Sequence, residues 1–312
     1  MGYKLGINTL GMHGQGGPLD TLPYRKIALV CEGGGQRGIF TAGILDTFLK
    51  QDFFPFQLMI GTSAGAQNVS AYACGQHGYA RDVITRLTTS REFFDPMRFI
   101  RGGHLIDLDW LLDTTAQSCP LDLEQARRRL EGRELLLCAC RSDDFRPVYF
   151  RVQQDDWLGA IKASSAIPLF YRRGAVLNGV TYLDGGVRDA IPVREAWQRG
   201  ADLIVVIRTT PAGVMEPPPW RLRMQGALAK SRFRDWVALF ESHEQSYVDT
   251  QKFIENPPGN LRIVEIAPRR PLRSRIVGSS APELDSDYRR GTLCARHFLN
   301  KVAPYLQQVE PR

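Results

Sequence analysis

The pentapeptide Gly61-Thr62-Ser63-Ala64-Gly65 has the Gly-x-Ser-x-Gly spacing that can turn a serine into a nucleophile. It follows the apolar run 56–60 and precedes small, helix-compatible residues at 66–73. Strand, sharp turn and helix are the context that makes such a pentapeptide a nucleophile elbow. The turn strains the central serine and projects its hydroxyl. Flanking glycines remove Cβ atoms that would collide in so tight a turn. The helix that follows aims its N-terminal N–H groups toward the serine, where an oxyanion can form. Without partners, the same pentapeptide reads equally well as an ordinary glycine turn.

A first partner is Glu32-Gly33-Gly34-Gly35-Gln36-Arg37-Gly38, set between a buried-strand candidate at 26–31 and a helix at 39–50. Consecutive glycines leave backbone N–H groups uncovered and able to converge on one anion, as acyl transfer requires. Gly33-x-Gly35-x-x-Gly38 also matches the dinucleotide fingerprint, which predicts an oxidoreductase fold. That reading needs an acidic residue after the next strand to hold the ribose. The next strand ends instead in Gly61-Thr62-Ser63.

A second partner is Tyr182-Leu183-Asp184-Gly185-Gly186. Asp-Gly is a common turn pair. An aspartate at a strand end can also accept the proton of Ser63. The five histidines, His13, His77, His104, His243 and His297, lie away from all three motifs in the sequence.

Together these elements resemble the patatin-like phospholipase family. Gly33 to Gly38 match its Gly-Gly-Gly-x-Arg-Gly motif, Gly61 to Gly65 its elbow, and Asp184-Gly185-Gly186 its Asp-Gly-Gly element. Ala163-Ser164-Ser165-Ala166-Ile167-Pro168 is similar to the block upstream of the family's aspartate. Order and spacing fit over about residues 25–210, with no departure at the positions expected to do chemistry.

The resemblance implies a three-layer α/β/α sandwich with a mainly parallel sheet and a Ser–Asp dyad. Ser63 attacks the ester carbonyl, Asp184 is the base, and Gly33, Gly34, Gly35 and Arg37 surround the oxyanion. An acyl-enzyme follows, hydrolysed by a water that Asp184 activates. A carboxylate is a weak base toward a serine hydroxyl, so the site must raise its proton affinity or align it closely. No cofactor and no metal are expected, calcium included. Within enzymes the rival is an α/β-hydrolase triad using His243 or His297. The expectation of one strand ahead of the elbow strand argues against it. A lipid-binding module with a disabled site is the non-catalytic alternative, but Ser63 and Asp184 are both present.

The elements that must position these residues alternate. Strands are predicted at 27–31, 57–60, 134–141, 148–152, 202–208 and 263–266. Helices are predicted at 39–50, 66–73, 79–88, 108–115, 123–130, 157–164, 235–253 and 293–306. Residues 93–103 read as an aromatic, basic loop. This alternation argues for an α/β sandwich with a mainly parallel sheet, whose sites sit at carboxyl ends of strands. Residues 1–24 read as a flexible arm, 25–210 as the catalytic core and 211–312 as a helical, basic extension. Within the extension, Pro217-Pro218-Pro219 precedes Trp220, Arg221, Arg223, Met224, Lys230, Arg232, Phe233, Arg234 and Trp236. That mixture suits an anionic lipid surface, a cap over the site or a solvated face.

Composition bounds the rest. The 312 residues are 43% hydrophobic, enough for one substantial core. The net charge is +7 and the pI near 9.2, which favours acidic partners. No nucleic-acid motif appears and the basic residues are spread, so an anionic phospholipid surface is the expected partner beside a lipid ester substrate. Cys31, Cys74, Cys119, Cys138, Cys140 and Cys294 are scattered through apolar stretches, as reduced core thiols are. No signal peptide and no 18-residue apolar window are read, so the expected location is cytoplasmic, with peripheral contact at the inner membrane face.

Overall fold

The computed structural model describes residues 2–14, 24–213 and 234–306, with only the backbone for 234–244. In chain order they form strands β1 (Tyr3–Asn8), β2 (Gly11–His13) and β3 (Ile27–Cys31), helix α1 (Gly38–Lys50), strand β4 (Leu58–Thr62) and helices α2 (Ala64–Ala73) and α3 (Tyr79–Asp82). Helices α4 (Pro96–Ile100), α5 (Leu108–Ser118) and α6 (Leu123–Arg129) lead into strands β5 (Glu134–Arg141) and β6 (Pro147–Arg151) and helix α7 (Trp157–Ser165). Then follow β7 (Ala175–Leu177), β8 (Val180–Asp184), α8 (Val193–Gln198), β9 (Leu203–Ile207), α9 (Arg234–Glu255), β10 (Arg262–Ile266), α10 (Ala281–Lys301) and α11 (Ala303–Leu306).

The sheet runs β2-β1-β10-β9-β3-β4-β5-β8-β7, and β6 also pairs with β5. Every neighbouring pair from β1 to β5 is parallel. The strands β2, β6, β7 and β8 are antiparallel. Strands β3, β4 and β9 are buried throughout because helices cover both faces. Successive side chains alternate between the two layers. Leu29, Met59 and Val205 face α1, α2, α7 and α10, whereas Val30, Ile60 and Val206 face α8 and α9. Burying each such side chain fully contributes about 1.5–3 kcal/mol. The result is the three-layer α/β/α sandwich with a mainly parallel sheet.

Several expectations change. Residues 3–13 are not an arm: Tyr3–Asn8 lies in the sheet, parallel to β10, with Leu5 and Ile7 buried. Strand β1 therefore also precedes the elbow strand. The C-terminal region does more than cover the core, since β10 is inserted between β1 and β9. Helix α10 packs Phe298 against Phe48 and Phe53, with ring centroids 5.1 and 5.7 Å apart. It begins at Ala281 rather than 293, behind a capping box of Ser280 and Glu283. The loop 93–103 contains α4. The helix at 79–88 changes at Val83 into a π turn that runs to Leu87. Residues 214–233 of the basic segment lie outside the described residues. Among the described residues no helix is long and apolar enough to cross a membrane.

Candidate active site

Strand register brings the motifs together. Thr62 at the end of β4 lies opposite Cys138 of β5, and Asp184 at the end of β8 lies opposite Ala139. Ser63 and Asp184 therefore flank β5 at nearly the same level. Each is only 6% exposed.

Ser63 has φ 55° and ψ −122°, a strained combination for a residue with a Cβ. Such a conformation costs on the order of 1–3 kcal/mol and persists only where neighbours over-determine it. Here the Ser63 N–H donates to Ser164 Oγ at 2.8 Å, and Ser164 Oγ donates to the Cys138 carbonyl at 2.5 Å. Thr62 Oγ1 donates to the Asp189 carbonyl at 2.9 Å. The positive φ falls on the serine, so Gly61 and Gly65 serve close packing instead. A Cβ on Gly65 would lie 2.2 Å from the Cys31 carbonyl oxygen, and one on Gly61 2.5 Å from that of Gly65. Gly38 lets α1 meet α2, where a Cβ would lie 2.9 Å from that of Ala64.

Asp184 is built as an acceptor. Its Oδ1 accepts the Gly186 N–H at 2.7 Å, while Oδ2 is buried with no hydrogen-bond partner among the described residues. Gly185 allows the chain to pass the Cys138 carbonyl, which a Cβ would approach to 2.2 Å. Burial pushes the Asp184 carboxyl up to about 6, opposed by the Ser63 hydroxyl and the Gly186 N–H. Ser63 thus bears on Asp184 without closing a hydrogen bond onto Oδ2. Contacts of this kind often tighten only when substrate is bound. The groups acting on Asp184 include no histidine. His243 lies on α9 where only backbone is described, and His297 lies on α10.

The glycine loop leaves β3 beside the serine. Gly33 donates its N–H to the Ala190 carbonyl at 3.3 Å, and its own carbonyl accepts from Thr209 Oγ1 at 2.7 Å. Gly33 is therefore engaged in holding the loop. The N–H groups of Gly34, Gly35 and Ala64 have no hydrogen-bond partner among the described residues. Gly35 has φ 58°, and a Cβ there would also lie 2.3 Å from the Ile276 carbonyl oxygen. Arg37 Nε turns back to the Gly34 carbonyl at 3.4 Å, bracing the loop from outside. The buried Gln36 amide ties the loop to Thr88 and to the Ser279 N–H.

Beside Ser63 and Gly35 opens a narrow cavity of about 60 Å³. One water needs roughly 10–15 Å³ by this measure. Its walls include Val83, Ile84, Phe93, Ile106, Leu108 and Leu111. The first two come from the π turn, a feature frequent at functional sites.

Sequence reasoning missed the charge network beneath the glycine loop. Arg208, wholly buried, donates to Glu32 Oε2 at 3.0 Å and to Glu265 Oε1 at 2.7 Å. Glu32 also accepts the Thr209 N–H at 2.6 Å and Tyr247 OH at 2.7 Å, and Lys4 reaches Glu265 at 3.0 Å. Burial alone would lower the Arg208 pKa, but Glu32, Tyr247 and Glu265 reverse that and hold it above the usual guanidinium range. A signal existed: Glu265 interrupts the apolar run 263–266, and a charge there demands a partner.

Residues 29–197 match the family model of patatin-like phospholipases, and residues 233–307 match a domain of unknown function, DUF6363. Over 297 residues the chain is 54% identical to the uncharacterized protein YjjU of Escherichia coli (strain K12), covering 94% of this chain and 83% of that protein. Among solved structures it is similar to VipD from Legionella pneumophila (14% identity, TM-score 0.48) and to human GIVD cytosolic phospholipase A2 (11%, 0.49). These alignments cover 88% and 92% of this chain but only 67% and 60% of the respective structures.

Proposed function

This chain belongs to the patatin-like phospholipase family, and on that premise we propose that it is a serine acyl hydrolase of lipid carboxylic esters. Ser63 Oγ attacks the ester carbonyl while Asp184 Oδ2 takes the hydroxyl proton. The tetrahedral oxyanion is held by the N–H groups of Gly34, Gly35 and Ala64, at a few kcal/mol of barrier per donor. As the carbon–oxygen bond to the alcohol breaks, the Asp184 carboxyl returns its proton to the leaving oxygen. Water then gives a proton to Asp184 and attacks the acyl-serine. The fatty acid leaves and Ser63 recovers its proton. The apolar cavity beside Ser63 suits the start of an acyl chain, and expelling its water strengthens each electrostatic contact.

The observation that carries this reading is a strained, projecting serine beside a buried carboxylate whose second oxygen has no hydrogen-bond partner among the described residues. A fluorophosphonate probe tests it. After labelling and digestion, the adduct is expected on the peptide containing Ser63. An adduct confined to another residue, or none, would overturn the assignment.

The base must be ionised, and its pKa is pushed up to about 6. Rate over KM should therefore rise as pH climbs through about 6 and level off above it. Asp189 is also pushed up to about 6 by burial, but its Oδ2 is taken by Tyr149 OH at 2.6 Å. The inflection should thus survive in Asp189→Asn. A profile flat from about pH 5 to about pH 8 would remove Asp184 as the base.

We assign catalysis to residues 25–210 and place the protein in the cytoplasm. The six unpaired cysteines fit a reducing compartment.

A further inference from the structure

We propose that α4 and the arginines around it form the surface by which this protein docks on an anionic phospholipid bilayer. The inference rests on the lipid-ester reading and adds where the lipid surface is met. Met97 and Ile100, one turn apart on α4, are 54% and 74% exposed. A single exposed apolar residue is unremarkable, but this pair is held outward by a built support. Asp95 caps the helix through the Met97 N–H at 2.8 Å, and Pro96 opens its first turn. From the inner side, Arg98 donates to the carbonyls of Glu92, Phe93 and His104, each at 2.9 Å, and pairs with Asp107. Arg172 stacks 4.4 Å over the Phe99 ring and donates to its carbonyl. With Arg98 and Phe99 fixed inward, Met97 and Ile100 have only the outward direction.

The same segment forms the wall of the catalytic cavity. Phe93 and Ile106 line that cavity, and Phe94 pairs with Ile106 across the base of the α4 loop. Arg91 and Arg101, which lie close to α4 in the chain, and Arg172, which stacks on its Phe99, are exposed residues, as is the neighbouring Arg173. Arg273 and Arg275 are exposed on the loop whose Ile276 and Val277 line the same cavity. Among the nearby acids, Asp95 caps α4, Asp107 pairs with Arg98 and the exposed Asp109 pairs with Lys162, which leaves Glu92 as the exposed acid without such a partner among the described residues. Two exposed apolar side chains with several arginines nearby match an interface where acyl chains lie under anionic head groups. Docking there would set the cavity wall, and Ser63 behind it, against the lipid.

The test is co-sedimentation of full-length Ser63→Ala protein with phosphatidylcholine vesicles, with and without phosphatidylglycerol. The serine is removed so that binding is read without hydrolysis. Binding is expected to require phosphatidylglycerol and to fall as salt rises. Adding Ile100→Glu or Arg101→Glu should weaken it about tenfold. In the otherwise native chain neither change should alter hydrolysis of a soluble short-chain ester. Vesicle binding equal in the variants and their parent overturns the inference, as does no binding by the parent. If binding depends on Ile100 but the native chain cleaves no ester, docking stands and the hydrolase reading falls.

Discussion

Asp184→Asn is expected to remain folded at pH 7 and to hydrolyse esters about a thousandfold more slowly than the native chain. The amide keeps an oxygen for the Gly186 N–H but cannot take the serine proton. Ser63→Ala should lose at least as much activity and all fluorophosphonate labelling. In the proposed mechanism Ser63 and Asp184 act as one unit, so the double variant should be little worse than Ser63→Ala alone. Additive losses would show that the two residues act separately.

The stability of Asp184→Asn separates a catalytic role from a structural one. Burial raises this carboxyl from its ordinary 3.8 to about 6. The folded state therefore binds the proton more tightly than the unfolded state between those values. Stability from Asp184 is present below about pH 4 and is lost as pH rises through about 6. At pH 7 the ionised side chain costs the fold up to about 3 kcal/mol. Asparagine removes that cost, so the melting midpoint at pH 7 should stay level or rise. A clear drop would mean that the carboxylate holds the fold together, against the base role.

Arg208→Met should destabilise the protein by about 3–5 kcal/mol, the usual consequence of stranding a buried charge. Its guanidinium lies between Glu32 and Glu265, which would keep Lys4 and Tyr247 but lose their central cation. That is a large share of a typical total of about 5–15 kcal/mol. Glu32 immediately precedes the glycine loop and accepts the Thr209 N–H, while Thr209 Oγ1 holds the Gly33 carbonyl. The fraction that folds should therefore also show slower Ser63 labelling. Urea titration gives the stability change, and Glu32→Gln in the same chain should recover part of it. A change below about 1 kcal/mol would show that the network contributes little.

The local geometry of the candidate site and the central strands can be read from short stretches of sequence. A tight turn demands its glycines within a few residues, so the elbow, the glycine loop and Asp184-Gly185-Gly186 are written contiguously. Strands buried on both faces must be apolar at every position, and β3, β4, β5 and β9 are legible for that reason. Features that depend on distant partners became visible in the folded chain alone. Tyr3–Asn8 carries just Leu5 and Ile7 as buried apolar anchors, and it is a strand because β10, near the other end of the chain, offers it a parallel edge. Ser164 holds the elbow because α7 ends beside β4, and Gly33 spends its N–H on Ala190 because the chains after β3 and β8 converge. The alternation of strands and helices announced the layers. Which loop N–H groups lack a hydrogen-bond partner among the described residues, and which charges balance one another beneath the loop, are set by contacts between chain segments far apart in sequence.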